Sequence, residues 1–294
     1  MISEKDLMQL IEKVMAEYRQ ENPGKDGICP MHSADADTME DGDVPDITAK
    51  PIQEIFYVPH PENKEEYLKL KAKTPARVGV WRAGNRYTTE TMLRFRADHA
   101  VAMDAVFNDV PEDFVEDLGI FSVKTKCKDK DEYLTRPDLG RMFDEENLRI
   151  IKEKCKKNPK VQVYISDGLS STAIEANVKN TLPAIMAGLK DHGIDAGTPF
   201  FVKYGRVGAM DAVAEAVGAE LTCVLIGERP GLATGESMSC YMTYKGYPGI
   251  PEAKRTVVSN IHKNGTPSAE AGAHIAEILK KILENKASGV DLKL

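Results

Sequence analysis

Three apolar stretches between Val161 and Tyr241 run into loops of Gly, Ser, Asp, Arg and Glu: ISDGLSS, KYGRVG and IGERPGLATGES. Asp167, Arg206, Val207 and Glu228 are the residues there with chemistry to offer. Glu228 follows VLIG, where a buried ionised carboxylate must find donors. An ion pair with Arg206 or Arg229 would satisfy it. Val207 stands directly after Tyr-Gly-Arg, apolar among polar loop positions. Such a rim suits a large ligand with a flat apolar face and amide edges better than a small anion. The run from Gly231 to Ser237 resembles a phosphate loop only loosely, because Glu236 stands where a lysine should meet the phosphates. Gly235-Glu236-Ser237-Met238-Ser239 is one residue short of a G-x-S-x-G nucleophile elbow. A stand-alone α/β hydrolase using Ser237 with Asp167 and His262 is therefore an alternative reading.

These residues need strands and helices to position them. Val161–Ile165, Phe200–Val202 and Leu221–Ile226 are continuous apolar runs, whereas Ala173–Lys190 and Gly208–Val217 carry apolar residues at helical spacing. The alternation predicts βαβ units around a parallel sheet buried on both faces. In such sheets ligands meet the loops at the carboxyl ends of the strands, so Asp167, Arg206 and Glu228 should face one crevice. The expected fold is α/β, with a Rossmann-like parallel-sheet domain over residues 159–294. Thr256–Ile261 reads as a further strand, and Ala269–Asn285 as a closing helix capped by Ser268. Residues 52–158 form a smaller, mainly helical region, with helices over Glu62–Ala72, Glu90–Phe107 and Asp144–Lys157. Arg82, Arg86, Arg94, Arg96, Arg136 and Arg141 gather there, with Trp81 and Tyr87 close by. Arginine and aromatic residues together suggest a protein interface.

Residues 1–20 read as an amphipathic helix with Leu7, Leu10, Ile11, Val14, Met15 and Tyr18 on one stripe. Residues 21–51 are poor in large apolar side chains and read as a flexible linker. Within it, Cys29-Pro-Met-His32 has ligand-like spacing but no second pair to complete a zinc site. The formal net charge of −7 leaves no basic surplus for phosphates, so nucleic acid is not an expected partner. No apolar run reaches the ~20 residues that span a bilayer, and no secretory pattern opens the chain. The five cysteines lack CxxC spacing and read as reduced thiols of a cytosolic protein.

The runs RYTTETMLRFRADHAVAMDAVF, YLTRPDLGR, ISDGLSSTAI, GTPFFVKYGRV, LIGERPGL, ESMSCY, RTVVSNIHKNGTPSAEA and ENKASG occur in that order from about Ala76 to the C-terminus. Together they closely resemble the small (light) subunit of ethanolamine ammonia-lyase. The resemblance implies a lyase that converts ethanolamine to acetaldehyde and ammonia with adenosylcobalamin. It implies a large-subunit partner that carries the ethanolamine site, with the present chain covering the cobalamin at the interface. The family's cobalamin-contacting positions fall on Val207 and Glu228, and a third on Val257 in RTVVSN. On this reading the chain supplies shape and amide partners but no catalytic acid, base or nucleophile. D-x-H-x-x-G is absent around His99 and His192, so the cofactor should keep its own base on cobalt.

Enzymes of ethanolamine breakdown are often packed in bacterial microcompartments, which they enter by N-terminal amphipathic helices on linkers. The resemblance therefore implies a microcompartment location and a shell partner for residues 1–20. Deleting the helix should leave turnover intact and abolish co-sedimentation with shells. Lost turnover would make the segment part of the working fold instead.

Overall fold

A computed structural model describes residues 46–293. The expected N-terminal helix, the linker up to residue 45 and the Cys29-Pro-Met-His32 run lie outside the described residues. In chain order the first elements are α1 (Lys64–Lys71), the hairpin strands β1 (Arg82–Ala83) and β2 (Arg86–Tyr87), α2 (Thr89–Phe107) and α3 (Glu112–Asp117). Then follow β3 (Phe121–Lys124), α4 (Lys130–Thr135), α5 (Glu145–Lys154), β4 (Val161–Ser166), α6 (Ser171–Asp191), β5 (Phe200–Lys203) and α7 (Ala209–Val217). The chain closes with β6 (Leu221–Gly227), β7 (Met238–Tyr244), β8 (Thr256–Ile261) and α8 (Ser268–Asn285).

Six strands form one sheet in the order β3-β5-β4-β6-β7-β8. β3, β5, β4 and β6 are parallel, as continuous apolar strands separated by helical crossovers require. The expectation of a parallel sheet is corrected at β7, which runs antiparallel to both β6 and β8, so that β8 again points the same way as the parallel strands. The connection from Glu228 to Ser237 is the cause. It contains no helix, and a parallel return needs a crossover of about a dozen residues or more. β3 is a second departure. It arises in the stretch expected to be mainly helical, yet it pairs along β5 and forms the sheet's outer edge.

The sheet's two faces carry different cores. On one, α6 and α8 cover Val163, Ile165, Cys223, Leu225, Cys240 and Met242. On the other, α5 and α7 cover Tyr164, Phe200, Val202, Val224 and Ile226. Directly paired residues share a face, so Tyr164, Val224, Tyr241 and Val257 form one row across β4, β6, β7 and β8. Burial falls along that row. Tyr164 and Val224 are fully buried, Tyr241 is half-buried and Val257 is 48% exposed.

Small residues and caps set the helix positions. Ser170 Oγ accepts the amide of Ala173 and starts α6. Ser268 does not cap α8 as expected. Pro267 occupies that position, and Ser268 Oγ instead donates to Asn177 Oδ1 on α6 at 2.7 Å. Buried Arg94 donates to the carbonyls of Ile47 and Lys50, which ties the end of the expected linker to α2. α6 and α8 approach closely at Gly272, where an added Cβ would lie 2.6 Å from Ala184 Cβ and 2.7 Å from the Thr181 carbonyl. Gly272→Val should therefore lower the unfolding free energy by about 1–3 kcal/mol, read from urea melts. An unchanged midpoint would mean that the two helices separate freely.

Candidate functional site

Of the three loop residues expected to face one crevice, Arg206 and Glu228 are half-buried and Asp167 is withdrawn from the surface. Asp167 is buried, with Oδ1 accepting the amides of Gly168 (2.9 Å) and Gly205 (3.2 Å) and Oδ2 that of Tyr204 (2.8 Å). Leu169 N donates to the Gly227 carbonyl, and neither Gly168 nor Gly227 has room for a Cβ. The ends of β4 and β6 therefore close on each other, with Asp167 beneath them rather than on a rim. Burial pushes the Asp167 carboxyl up to about 6, against the opposing pull of Lys130 and the three amides.

The turn after β5 is built on that carboxylate. Tyr204 has a left-handed backbone (φ 59°), and its ring stacks on Tyr133 at 5.9 Å. Its hydroxyl donates to Asp109, which also meets Lys203 Nζ at 2.8 Å and Lys130 Nζ at 3.4 Å. Arg206 lies over the Tyr133 ring at 4.2 Å and donates to the Tyr133 carbonyl. Its amide donates to Gly140, where an added Cβ would meet the Arg206 chain at 2.8 Å. Arg206 is thus committed to the α4 region, and the expected Glu228–Arg206 pair does not form.

Glu228 has a different partner. Its Oε1 accepts the Tyr241 hydroxyl at 2.8 Å, and its amide donates to the Ser237 carbonyl at 3.0 Å. Burial, then the Glu228 carboxylate, hold the Tyr241 phenol well above its ordinary value. Tyr241 packs on the core of Tyr164, Phe200, Val202 and Val224, and half-buried Val207 packs on the same core. Val257 is the cross-strand neighbour of Tyr241. Val207, Glu228 and Val257, named separately from the sequence, are therefore all related through Tyr241 or the core beneath it. Tyr241 itself went unremarked. The alternation in SMSCYMTY carried the signal, because it sets Tyr241 on the face opposite Cys240 and Met242.

The hydrolase alternative fails on geometry. The oxygens of Asp167 are taken by backbone amides, not by His262. His262 Nε2 meets Asn260 Oδ1, and its Nδ1 accepts the Asn264 amide. The third element of a relay is missing, so Ser237 has no activating pair. Among the described residues no group of three or more His, Cys, Asp and Glu is placed to hold a metal ion. Nor is any described helix long and apolar enough to cross a membrane. A hollow of about 560 Å³ with a mixed polar and apolar lining opens beside the far part of the Glu228–Ser237 loop, at Ala233, Thr234, Asn260 and His262.

Comparison with known proteins matches residues 64–293 to the ethanolamine ammonia-lyase light chain. The chain belongs to this family. It is 59% identical to the ethanolamine ammonia-lyase small subunit of Fusobacterium nucleatum and 57% identical to that of Clostridium tetani, each over the full length of both chains. The small subunit of Listeria monocytogenes is 52% identical, covering 99% of this chain and 100% of its own. The match includes the loops that carry Asp167, Val207, Glu228 and Tyr241, and the strand that carries Val257.

In this light chain Asp167 gives a clear pH test. Its folded-state value lies above the ordinary 3.8. The carboxyl's contribution to stability is thus complete below the ordinary value and is lost as pH rises through about 6. Asp167→Asn turns one acceptor into a donor facing an amide, at a cost of about 1–3 kcal/mol. The stability gap between the parent and this variant should narrow as pH rises from about 4 to about 7, read from urea unfolding at each pH. A gap that stays constant would show that Asp167 does not titrate in that window.

Proposed function

We propose that the chain is the small subunit of an adenosylcobalamin-dependent ethanolamine ammonia-lyase, covering the cofactor where it meets the large subunit. The observation that carries this is the row Tyr241–Val257 beside Glu228. It is an apolar sheet surface that opens toward solvent and has an acceptor held at its edge. A corrin offers a broad apolar face rimmed by amides, and the residues present fit it. Val207 and Val257 give van der Waals contact, and Glu228 accepts hydrogen bonds from amide or hydroxyl groups. The hydroxyl of Tyr241 holds Glu228 in one orientation, so the acceptor is preorganised. When bound, adenosylcobalamin supplies the radical chemistry that turns ethanolamine into acetaldehyde and ammonia.

In this reading the chain itself contributes no acid, base or nucleophile. It positions the cofactor and excludes water, while ethanolamine binds on the large subunit. The parallel strands β3, β5, β4 and β6, with helices on both faces, form a Rossmann-like unit. Residues 159–294 supply most of the cobalamin surface and residues 52–158 a smaller region beside it. The N-terminal segment directs the complex to a bacterial microcompartment and its shell.

Mixing the chain with large subunit and adenosylcobalamin, then following acetaldehyde release from ethanolamine, tests the assignment; the chain alone should be inactive. Val257→Asp is the cleanest probe of the cofactor surface, because an exposed side chain can change without disturbing the core. It should weaken cobalamin binding by roughly tenfold or more while leaving the melting temperature near that of the parent. Glu228→Gln should weaken binding by roughly tenfold, yet reach parental turnover at saturating cofactor. Parental affinity in both variants would remove this surface from the cofactor site.

A further inference from the structure

A recess of about 370 Å³ opens among α5, the start of α7 and the loop that leads into β8. Its volume is that of a small-molecule site. Met142, Phe143, Leu148, Ala212, Pro248 and Ile250 give it apolar walls. Five charged residues share the lining, with Lys126, Arg141 and Arg255 set against Asp211 and Glu252. Buried Arg255 satisfies both carboxylates. Its Nη1 and Nη2 meet Asp211 at 2.8 and 2.9 Å, and its Nε meets Glu252 at 2.7 Å.

The positive charge left over belongs to Lys126 and Arg141. Both are exposed, and among the described residues neither forms an ion pair. The Asp144 carboxyl is held below its ordinary value first by Asn147 and then, more weakly, by Lys124 and Lys126, but it is occupied in capping α5. The Arg141 stem packs on the first turn of α7, where an added Cβ on Gly208 would lie 3.2 Å from Arg141 Cγ and Cδ. The guanidinium is thus held at the rim of an apolar recess with its donors free for an anion.

The recess adjoins the proposed cofactor surface at two points. Gly208 lines it and directly follows Val207. Arg255 also lines it, and its extended backbone (φ −94°, ψ 128°) leads straight into β8. Arg255 and Val257 are alternate residues of that run, so they lie on one face of it. A corrinoid that keeps its own base on cobalt, as the missing D-x-H-x-x-G run implies, cannot lie flush against a surface on that side. Its benzimidazole, ribose and phosphodiester stand off the ring and need a hollow beside the apolar face. Apolar walls suit the benzimidazole, and a cationic rim suits the single negative charge of the phosphodiester.

We propose that this recess takes the nucleotide tail of the cofactor, with Arg141 and Lys126 donating to its phosphodiester. This rests on the proposed function, which supplies the cofactor. Arg141 brings the forked geometry that matches two phosphate oxygens, and Lys126 brings a point charge.

The test uses the full-length chain assembled with the large subunit, and two ligands. One is adenosylcobalamin. The other is adenosylcobinamide, which has the corrin and the adenosyl group but no nucleotide tail. Lys126→Gln/Arg141→Gln should weaken adenosylcobalamin binding by roughly tenfold or more in equilibrium dialysis. It should not weaken adenosylcobinamide binding, and the melting temperature should stay at the parental value. Arg141→Lys keeps the charge and loses the fork, so its affinity should fall between those of the parent and Arg141→Gln. Added sodium chloride should weaken adenosylcobalamin binding to the parent more than to the double variant. That comparison decides alone if adenosylcobinamide binds too weakly to measure, and the single variants carry it if the double variant melts early. Parental affinity for adenosylcobalamin in a well-folded variant, equal loss of both ligands, or a salt dependence retained in full overturns the assignment. A parent complex that binds neither corrinoid refutes the proposed function instead.

Discussion

The amides of Gly168, Tyr204 and Gly205 converge on one buried carboxylate, Asp167, and the carboxyl ends of β4 and β5 are fixed by that convergence. Two of the three donors lie in the turn after β5, where Tyr204 holds a left-handed backbone that a tyrosine adopts only under constraint. That turn sets the starting point for Arg206, Val207 and the first turn of α7. The arrangement costs desolvation, since burial raises the Asp167 carboxyl and disfavours its charged form. The return is positional. A backbone anchored at both ends places Val207 on the core shared with Tyr241 without relying on loop packing.

The parallel half of the sheet was legible because both its faces are buried. Val161–Ile165 was expected and Val161–Ser166 is found; Leu221–Ile226 was expected and Leu221–Gly227 is found. β3 escaped because only one of its four residues is fully buried, so its apolar signal is weak. The direction of β7 was set by the lack of a crossover helix after Glu228, which strand composition does not reveal. Asp167 was visible as a loop carboxylate, but its partners are backbone amides, and these have no sequence signature. Glu228 was correctly marked as needing a donor. The donor came from Tyr241 across a hairpin rather than from the arginines nearby, because Arg206 is held on Tyr133.

Helical periodicity located α2 to within one residue at its start but could not say which side faced inward. Pattern reading assigns large apolar residues to the core, and here the core side is Thr91 and Arg94. The Tyr241–Val257 row and the outer face of α2 both expose apolar groups, the first on the side of the sheet that α5 and α7 cover and the second on a helix packed against α6. Neither surface is needed to complete the chain's own core.

The exposed stripe on α2 also bears on how long an unassembled chain persists. A fully folded subunit with Met92, Leu93, Met103 and Phe107 in water presents the same apolar display that quality-control chaperones and proteases read on misfolded chains. Its survival in a cell would then depend on stoichiometry rather than on unfolding free energy. Production of this chain in excess of whatever covers α2 would end in aggregation or turnover even though every molecule had reached its native fold.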